Sequence, residues 1–371
     1  MKFVCEKNEL AAALSVASRT VSQRATLYDL EGIFLRAEEA LYLTGYNMET
    51  GITVRVEAEI SEEGMCVLPA RLFFDIIRKM PEDMVRVEVD MEGRVSITCG
   101  PASYVIQYVS SGDDYPELPQ VGEEKDFSLP QSAMKELISG TIFAVSENQA
   151  QPVHTGCLME VRGDAVTMVA VDGFRLARRT FHTDALAGKE LNFVVPAVAL
   201  RELEKVLQDT EDEVDVTLGR KHLMFRVGGV TLVCRVLEGN FLDWRRVVPT
   251  NNPIKLVADV STLTATIERV SLVVSEKVKT PVRCRFQENL ADFRTKSPQG
   301  SAHDTCPLSG NGKDMEIGFN SRYLLDALKA VPTEEVTLEL SNGLSPFVLT
   351  PVDAEHDFAY MVLPVRLKAG E

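Results

Sequence analysis

No stretch of the sequence approaches the ~20 consecutive apolar residues that a membrane-spanning helix needs, and Met1-Lys2-Phe3-Val4-Cys5-Glu6 meets charge within six residues. The chain therefore reads as a soluble, unexported protein of the cytoplasm. Positive charge is in deficit: 39 Lys and Arg stand against 55 Asp and Glu, a formal charge of −16, which argues against a simple basic DNA-binding module. The seven cysteines (Cys5, Cys66, Cys99, Cys157, Cys234, Cys284, Cys306) are scattered and never form Cys-x-x-Cys. An odd number in that arrangement speaks against a disulfide framework or a zinc knuckle and leaves reduced, mostly buried thiols.

Catalytic signatures are missing as well. There is no Gly-x-x-x-x-Gly-Lys-[Ser/Thr] phosphate loop, no Gly-x-Gly-x-x-Gly after a strand and no His-Glu-x-x-His. His154, His182, His222, His303 and His356 lie far apart without ligand spacing and read as structural or surface groups. Asp172-Gly173 with Arg175 offers an acid and a base, but a Val-x-Val-Asp-Gly strand end is more simply a turn. No catalytic residue, metal or cofactor is expected.

What the sequence does contain is a repeat. Phe3, Leu10, Leu14, Val21 and Ser22 reappear as Phe127, Met134, Ile138, Val145 and Ser146, and again as Leu256, Leu263, Ile267, Val274 and Ser275. Each set begins in a strand-like run and continues with apolar residues three and four apart, as an amphipathic helix requires. Later in each copy, 69–80, 196–207 and 320–331 align without gaps as helices starting near Pro or Asn, each followed by alternating strand residues. The 371 residues thus divide into three α+β domains of about 120, at roughly 100–200 residues per domain. The joints fall at 113–119 and 249–253, rich in Pro and polar residues.

The helix alignment places Arg78, Lys205 and Lys329 at one position and Asp75, Glu202 and Asp326 three residues earlier. Acid and base at that spacing can pair on a solvated face. Alternatively, the repeated base builds a positive stripe that follows a phosphate backbone.

Met1-Lys2-Phe3, the segment 171–177 (Val-Asp-Gly-Phe-Arg-Leu-Ala), 243–249 (Asp-Trp-Arg-Arg-Val-Val-Pro), 316–328 and the ending Tyr360-Met361-Val362-Leu363-Pro364-Val365-Arg366-Leu367 together resemble the bacterial sliding clamps, the beta subunits of DNA polymerase III. The resemblance covers essentially the whole chain. It implies a DNA clamp fold with domains 1–120, 121–249 and 250–371, each with two helices facing a channel and antiparallel sheets outside, closed as a head-to-tail homodimeric ring. Such a ring holds double-stranded DNA without sequence specificity and is a non-catalytic processivity subunit. Basic residues then need only face the channel, and phosphate contacts carry no sequence information. The implied partners are the DNA polymerase III alpha subunit, the clamp loader, other polymerases and repair proteins, through Gln-Leu-x-Leu-Phe-like peptides.

Carried over by position, the peptide groove uses His154, Val171, Gly173, Phe174, Arg175 and Leu176 in the second repeat, and Leu242, Arg246 and Val247 at the second joint. The third repeat supplies Asn320, Tyr323, Leu344, Pro346, Met361, Leu363, Pro364, Val365 and Arg366. Leu176, Val247, Leu344 and Met361 are expected to hold apolar anchors, with Arg175 and Arg246 framing a polar rim. From the residues alone, Leu176, Val247 and Met361 read equally as strand residues of ordinary cores. DNA contact is expected from Arg24, Arg78, Lys205, Arg269 and Lys329, with Arg71, Arg201 and Arg322 behind them. The ring seam is expected where Ser103, Tyr104, Val105 and Ile106 meet Leu272 and Val273, since edge-strand pairing joins such domains.

The chain also departs from the family. Clamps usually show Tyr-Pro-Asp-Tyr-Arg-Arg where Phe241-Leu242-Asp243-Trp244-Arg245-Arg246 stands, and many have Leu in place of His154. Leu242 for a rigid Pro is expected to loosen one groove wall, and His154 to make affinity depend on pH near neutrality. Two other readings remain: a peptide-binding scaffold that does not encircle DNA, and an enzyme using Asp172 and Arg175.

Overall fold

The residues that recur through the sequence are the ones that leave water. Phe3, Leu10 and Leu14, then Phe127, Met134 and Ile138, then Leu256, Leu263 and Ile267 are all buried, none more than 4% exposed. Each set spans a strand and the helix after it: Lys2–Glu6 with Lys7–Ala17, Phe127–Pro130 with Gln131–Ser139, and Ile254–Asp259 with Val260–Ser271. One side chain from the strand and two from successive helix turns reach one core, which is what their spacing demands. The computed structural model describes residues 1–367 except 23, 24, 26, 187 and 275–279. Ser275 of the third set therefore lies outside the described residues.

The second helix of each repeat is Ala70–Lys79, Ala197–Glu204 and Ser321–Lys329. Pro69 and Pro196 stand immediately before the first two, where a missing N–H costs nothing. Asn320 caps the third by accepting the Arg322 N–H. In the first and third repeats the two helices pack against each other.

The chain forms two compact units, Met1–Met134 with Arg201–Val236, and Lys135–Leu200 with Leu237–Glu371. The first unit holds a five-stranded antiparallel sheet in the order Glu59–Glu62, Lys2–Glu6, Met84–Val89, Arg94–Cys99, Ala102–Gln107. It also holds an eight-stranded sheet running Phe127–Pro130, Glu213–Leu218, His222–Val227, Val230–Arg235, Thr50–Val56, Leu41–Tyr46, Gly32–Ala37, Gly64–Pro69. The second unit has one ten-stranded sheet: Glu190–Pro196, Gly156–Arg162, Ala165–Val171, Arg175–His182, Asp357–Val362, Phe347–Pro351, Glu335–Leu340, Ile254–Asp259, Gly300–Phe319, Val282–Ser297.

Two of these pairings join one repeat to the next. Thr50–Val56, the fourth strand of the first repeat, pairs antiparallel with Val230–Arg235, the last of the second. Arg175–His182, the fourth strand of the second repeat, pairs antiparallel with Asp357–Val362, the last of the third. The same edge is used twice, and each join covers backbone donors and acceptors that would otherwise face solvent.

One expected joint is no simple linker. Within 113–119, Tyr115 is only 8% exposed and stacks on Phe34 with ring centroids 4.7 Å apart. Leu118 lies so close over Gly51 that a Cβ there would fall 1.9 Å from it. Composition marked the stretch as polar, but its two apolar side chains anchor it to a core of Leu30, Tyr46 and Val67. All seven cysteines are buried and outside any disulfide, and burial pushes the Cys5, Cys66 and Cys234 thiols up to about 12, so these three are unreactive.

Candidate functional site

The join between Arg175–His182 and Asp357–Val362 sets Leu176 opposite Met361. An apolar cluster gathers around that pair, including Val153, Leu158, Val169, Val171, Val194 and Val348. Beyond Leu237 the chain crosses this floor, laying Phe241, Leu242, Trp244 and Val248 on it half-buried, and Leu363 joins from the end of the last strand. Of the groove residues expected from the sequence, Val171, Leu176, Leu242, Met361 and Leu363 therefore share one cluster. Leu242 packs into it, so the wall expected to be loose is held by burial rather than by a Pro ring.

Other expected groove residues are exposed: Phe174 59%, Val247 36% and Leu344 76%. Phe174 stacks on Tyr323 at 6.0 Å, and its carbonyl accepts the Leu363 N–H at 2.8 Å. Gly173 has φ +90, a left-handed value that favours glycine, with open space where a Cβ would point. Asn320 and Pro346 are half-buried, and Pro364 likewise. Val365 and Arg366 line a different cavity, with residues of 280–303 and Leu367.

Arg175 is not on a rim. It is 8% exposed; its Nε donates to Asp172 Oδ2 at 2.9 Å and its Nη1 to Asp326 Oδ2 at 2.6 Å, while the guanidinium lies 4.6 Å over the Tyr323 ring. Asp172 Oδ1 also accepts the N–H groups of Phe174 and Arg175. The acid and base noticed in the sequence are thus a turn and a buried ion pair, with no geometry for turnover. Arg246 does sit at the surface, 86% exposed and paired with Asp243 at 2.9 Å.

Trp244, whose role the sequence did not disclose, is a fixed point. Its Nε1 donates to Glu160 Oε2 at 2.9 Å, Arg245 stacks 4.2 Å over its ring, and Arg245 Nη1 also donates to Glu160. An indole N–H in place of the family's usual Tyr was the available signal, but its acceptor Glu160 lies 84 residues away.

His154 packs edge-on against Phe241 at 5.3 Å. Its Nδ1 lies 3.0 Å from Gln151 Oε1, which assigns the proton to Nδ1, and its Nε2 is buried without a partner. Burial holds its pKa below 6.5, so titration moves away from neutrality, not toward it as the sequence implied. Because the folded state disfavours the charged ring, its contribution to stability is complete above pH 6.5 and is lost as pH falls below 6.5 toward the lower folded value. Urea midpoints measured from pH 7.5 to 5 should fall more steeply for the natural protein than for His154→Leu; parallel curves would contradict this.

The repeated helix charges pair as the spacing allows, with one exception. Arg78 bonds Asp75 at 2.9 Å, and Lys205, one residue beyond the end of its helix, bonds Glu202 at 2.8 Å. Lys329 instead bonds Glu268 of the neighbouring helix at 3.0 Å, because Asp326 is committed to Arg175. Arg269 pairs with Asp304 at 2.6 Å. Every one of these bases has a half-exposed side chain, and Arg71 is 98% exposed; Arg201 and Arg322 are exposed as well. Exposed pairs contribute little to folding and exchange readily for a phosphate. Arg24 lies outside the described residues. Among the described residues no group of acids, histidines and cysteines could hold a metal ion, and no helix is long and apolar enough to cross a membrane.

Family models agree with this architecture repeat by repeat. The N-terminal domain of the DNA polymerase III beta subunit matches residues 1–119, the central domain 128–243 and the C-terminal domain 245–366. A beta sliding clamp of Staphylococcus aureus is 30% identical over 377 aligned positions, covering 99% of both chains. This chain belongs to the beta sliding clamp family. Among solved structures, the DNA polymerase sliding clamp of Bacillus subtilis superposes with a TM-score of 0.94 at 28% identity, over 99% of this chain and 100% of the other. A DNA polymerase III beta subunit from Eubacterium rectale gives 0.92 at 30% identity, over 98% and 99%.

Proposed function

We propose that this chain is the processivity clamp of DNA polymerase III: two copies close head to tail around duplex DNA and tether the polymerase in the cytoplasm during replication, catalysing no bond change themselves. The repeats 1–120, 121–249 and 250–371 are its domains. The observation that carries this reading is the strand rule. The fourth strands of the first and second repeats each pair with the last strand of the next repeat, which leaves two stretches without such a partner: Ala102–Gln107, at the edge of its sheet, and the 300–307 part of Gly300–Phe319, which among the described residues pairs only with Val282–Ser297. A second copy supplies the missing partner at each. Two copies joined head to tail give both segments a partner, at two equivalent seams, which is the closure a ring needs.

The seam fits chemically. Tyr104 and Val105 are 43% and 65% exposed on the first leftover strand, and Leu272 is 81% exposed. The Val273 carbonyl accepts from Ser297 Oγ at 2.5 Å, holding it beside the second leftover strand. Ser103 and Ile106 complete the first strand's contribution.

Within the ring, Arg71, Arg78, Arg201, Lys205, Arg269, Arg322 and Lys329 contact phosphates, and Arg24 joins them. A net charge of −16 does not oppose this, because what counts is which face each charge occupies. The cluster around Leu176 and Met361 is the groove that takes the Leu and Phe of a Gln-Leu-x-Leu-Phe-like peptide from the polymerase, the clamp loader or repair proteins, with Val247, Leu344 and Phe174 closing on it. Changing Arg71, Arg78, Lys205 and Lys329 together to Ala should slow loading onto circular DNA about tenfold and flatten the salt dependence of loading, leaving peptide binding unchanged. An unaltered loading rate would favour a scaffold that does not encircle DNA.

A further inference from the structure

The three repeats carry one cradle each, and the backbone defines their equivalence. The chain leaves every repeat by the same bond: Val109 N–H to the Val67 carbonyl at 2.7 Å, Leu237 N–H to Val194 at 3.0 Å, and Val365 N–H to Gly318 at 2.8 Å. Opposite those three acceptors on the neighbouring strand stand Phe34, Leu158 and Arg283. These are the floors of the three cradles.

The first two floors are apolar, and the chain's own next segment packs against each. Tyr115 lies flat on Phe34, with Asp113, Asp114 and Glu117 around it in sequence and Leu118 seated on Gly51. Phe241, Leu242 and Trp244 pack on the cluster that contains Leu158. The third differs in chemistry. Arg283 opens into a cavity of about 1160 Å³, which Arg294, Lys296, His303 and Arg366 also line, and among the described residues no carboxylate does. Asp292, bonded to Arg294 and His303, and Glu316, 3.6 Å from Arg283, hold these cations from an adjoining recess. Pro281, Pro298, Val365 and Leu367 give the cavity an apolar wall.

We propose that this third cradle is a second docking site, distinct from the groove, for an acidic peptide segment with an aromatic or leucine anchor. Its nearest pattern is the segment Asp113-Asp114-Tyr115-Pro116-Glu117-Leu118 that fills the first cradle. A peptide is favoured over a nucleic acid because the chain's own next segment, carrying an aromatic, packs against both sister cradles, and because the third keeps an apolar wall beside its charges. Replacing an aromatic floor by Arg retains a flat surface for stacking and adds a donor for carboxylates.

The test uses the full-length protein and a dye-labelled synthetic peptide, Gly-Asp-Asp-Tyr-Pro-Glu-Leu-Pro, followed by fluorescence anisotropy. Binding should saturate, weaken about tenfold in Lys296→Glu with Arg294→Glu, and weaken again as salt is raised. Both residues are exposed, and circular dichroism checks that the variant keeps its fold; Lys296→Glu alone, which leaves the Arg294–Asp292 pair intact, should weaken binding in the same direction. The site is independent of the groove, so excess Gln-Leu-x-Leu-Phe peptide should not compete and Val247→Asp with Leu344→Asp should bind the acidic peptide normally. Absent saturation, equal affinity for the Asn-Asn-Tyr-Pro-Gln-Leu analogue, or competition by the groove peptide would each overturn the proposal. So would a single-stranded oligonucleotide that binds with the same charge-reversal sensitivity while the peptide does not.

Discussion

Arg175→Ala lowers the unfolding free energy by about 3 kcal/mol, the lower part of the range for breaking a buried ion pair. The guanidinium is 9% exposed as a side chain, Asp172 13% and Asp326 31%, so removing it leaves two carboxylates with little water to replace their partner. Tyr323 loses the cation 4.6 Å from its ring, and the stacked pair of Phe174 and Tyr323 loses its support. The groove peptide should therefore bind about tenfold more weakly in the variant even where it is fully folded. Arg175→Lys should recover less than half of the stability, because one ammonium cannot span both carboxylates and lie flat on a ring. Urea unfolding gives the first quantity and titration calorimetry the second. A loss below about 1 kcal/mol would mean that solvent screens the pair as it does at an open surface.

The second large effect is on assembly. Val105→Asp with Leu272→Asp puts like charges on the two surfaces proposed to meet at the seam, in place of side chains 65% and 81% exposed in a single chain. Neither residue contributes to a core, so the monomer should keep its stability while the mass in solution falls from two chains to one at micromolar concentration. Retention on circular DNA should vanish with it, and groove peptide affinity should not change. A variant that remains dimeric would place the seam elsewhere.

Much of this was legible in the sequence, for a reason that particular residues show. Phe3, Leu10 and Leu14 and their counterparts recur because each must reach a core, so periodicity reveals them. Arg175 was misplaced on a rim because its two acids lie 3 and 151 residues away, and no local pattern reports the longer distance. Tyr115 and Leu118 were hidden in a stretch whose Pro and Asp content marks a joint, since composition does not say where a side chain points. Leu242 lacks the ring of a Pro, and only packing showed how the wall is held. The charge of −16, at first an argument against nucleic acid, says nothing of which face each base occupies.

The central claim is topological, and one measurement addresses it directly. The protein is loaded by a clamp loader onto a nicked circular duplex, its residence is followed, and the circle is then cut once. The account predicts slow release from the intact circle and rapid release after the cut, because the ring slides off the ends with no contact broken that was not already breaking. Equal residence before and after the cut would show that the protein holds DNA by affinity, and the encircling ring would be wrong.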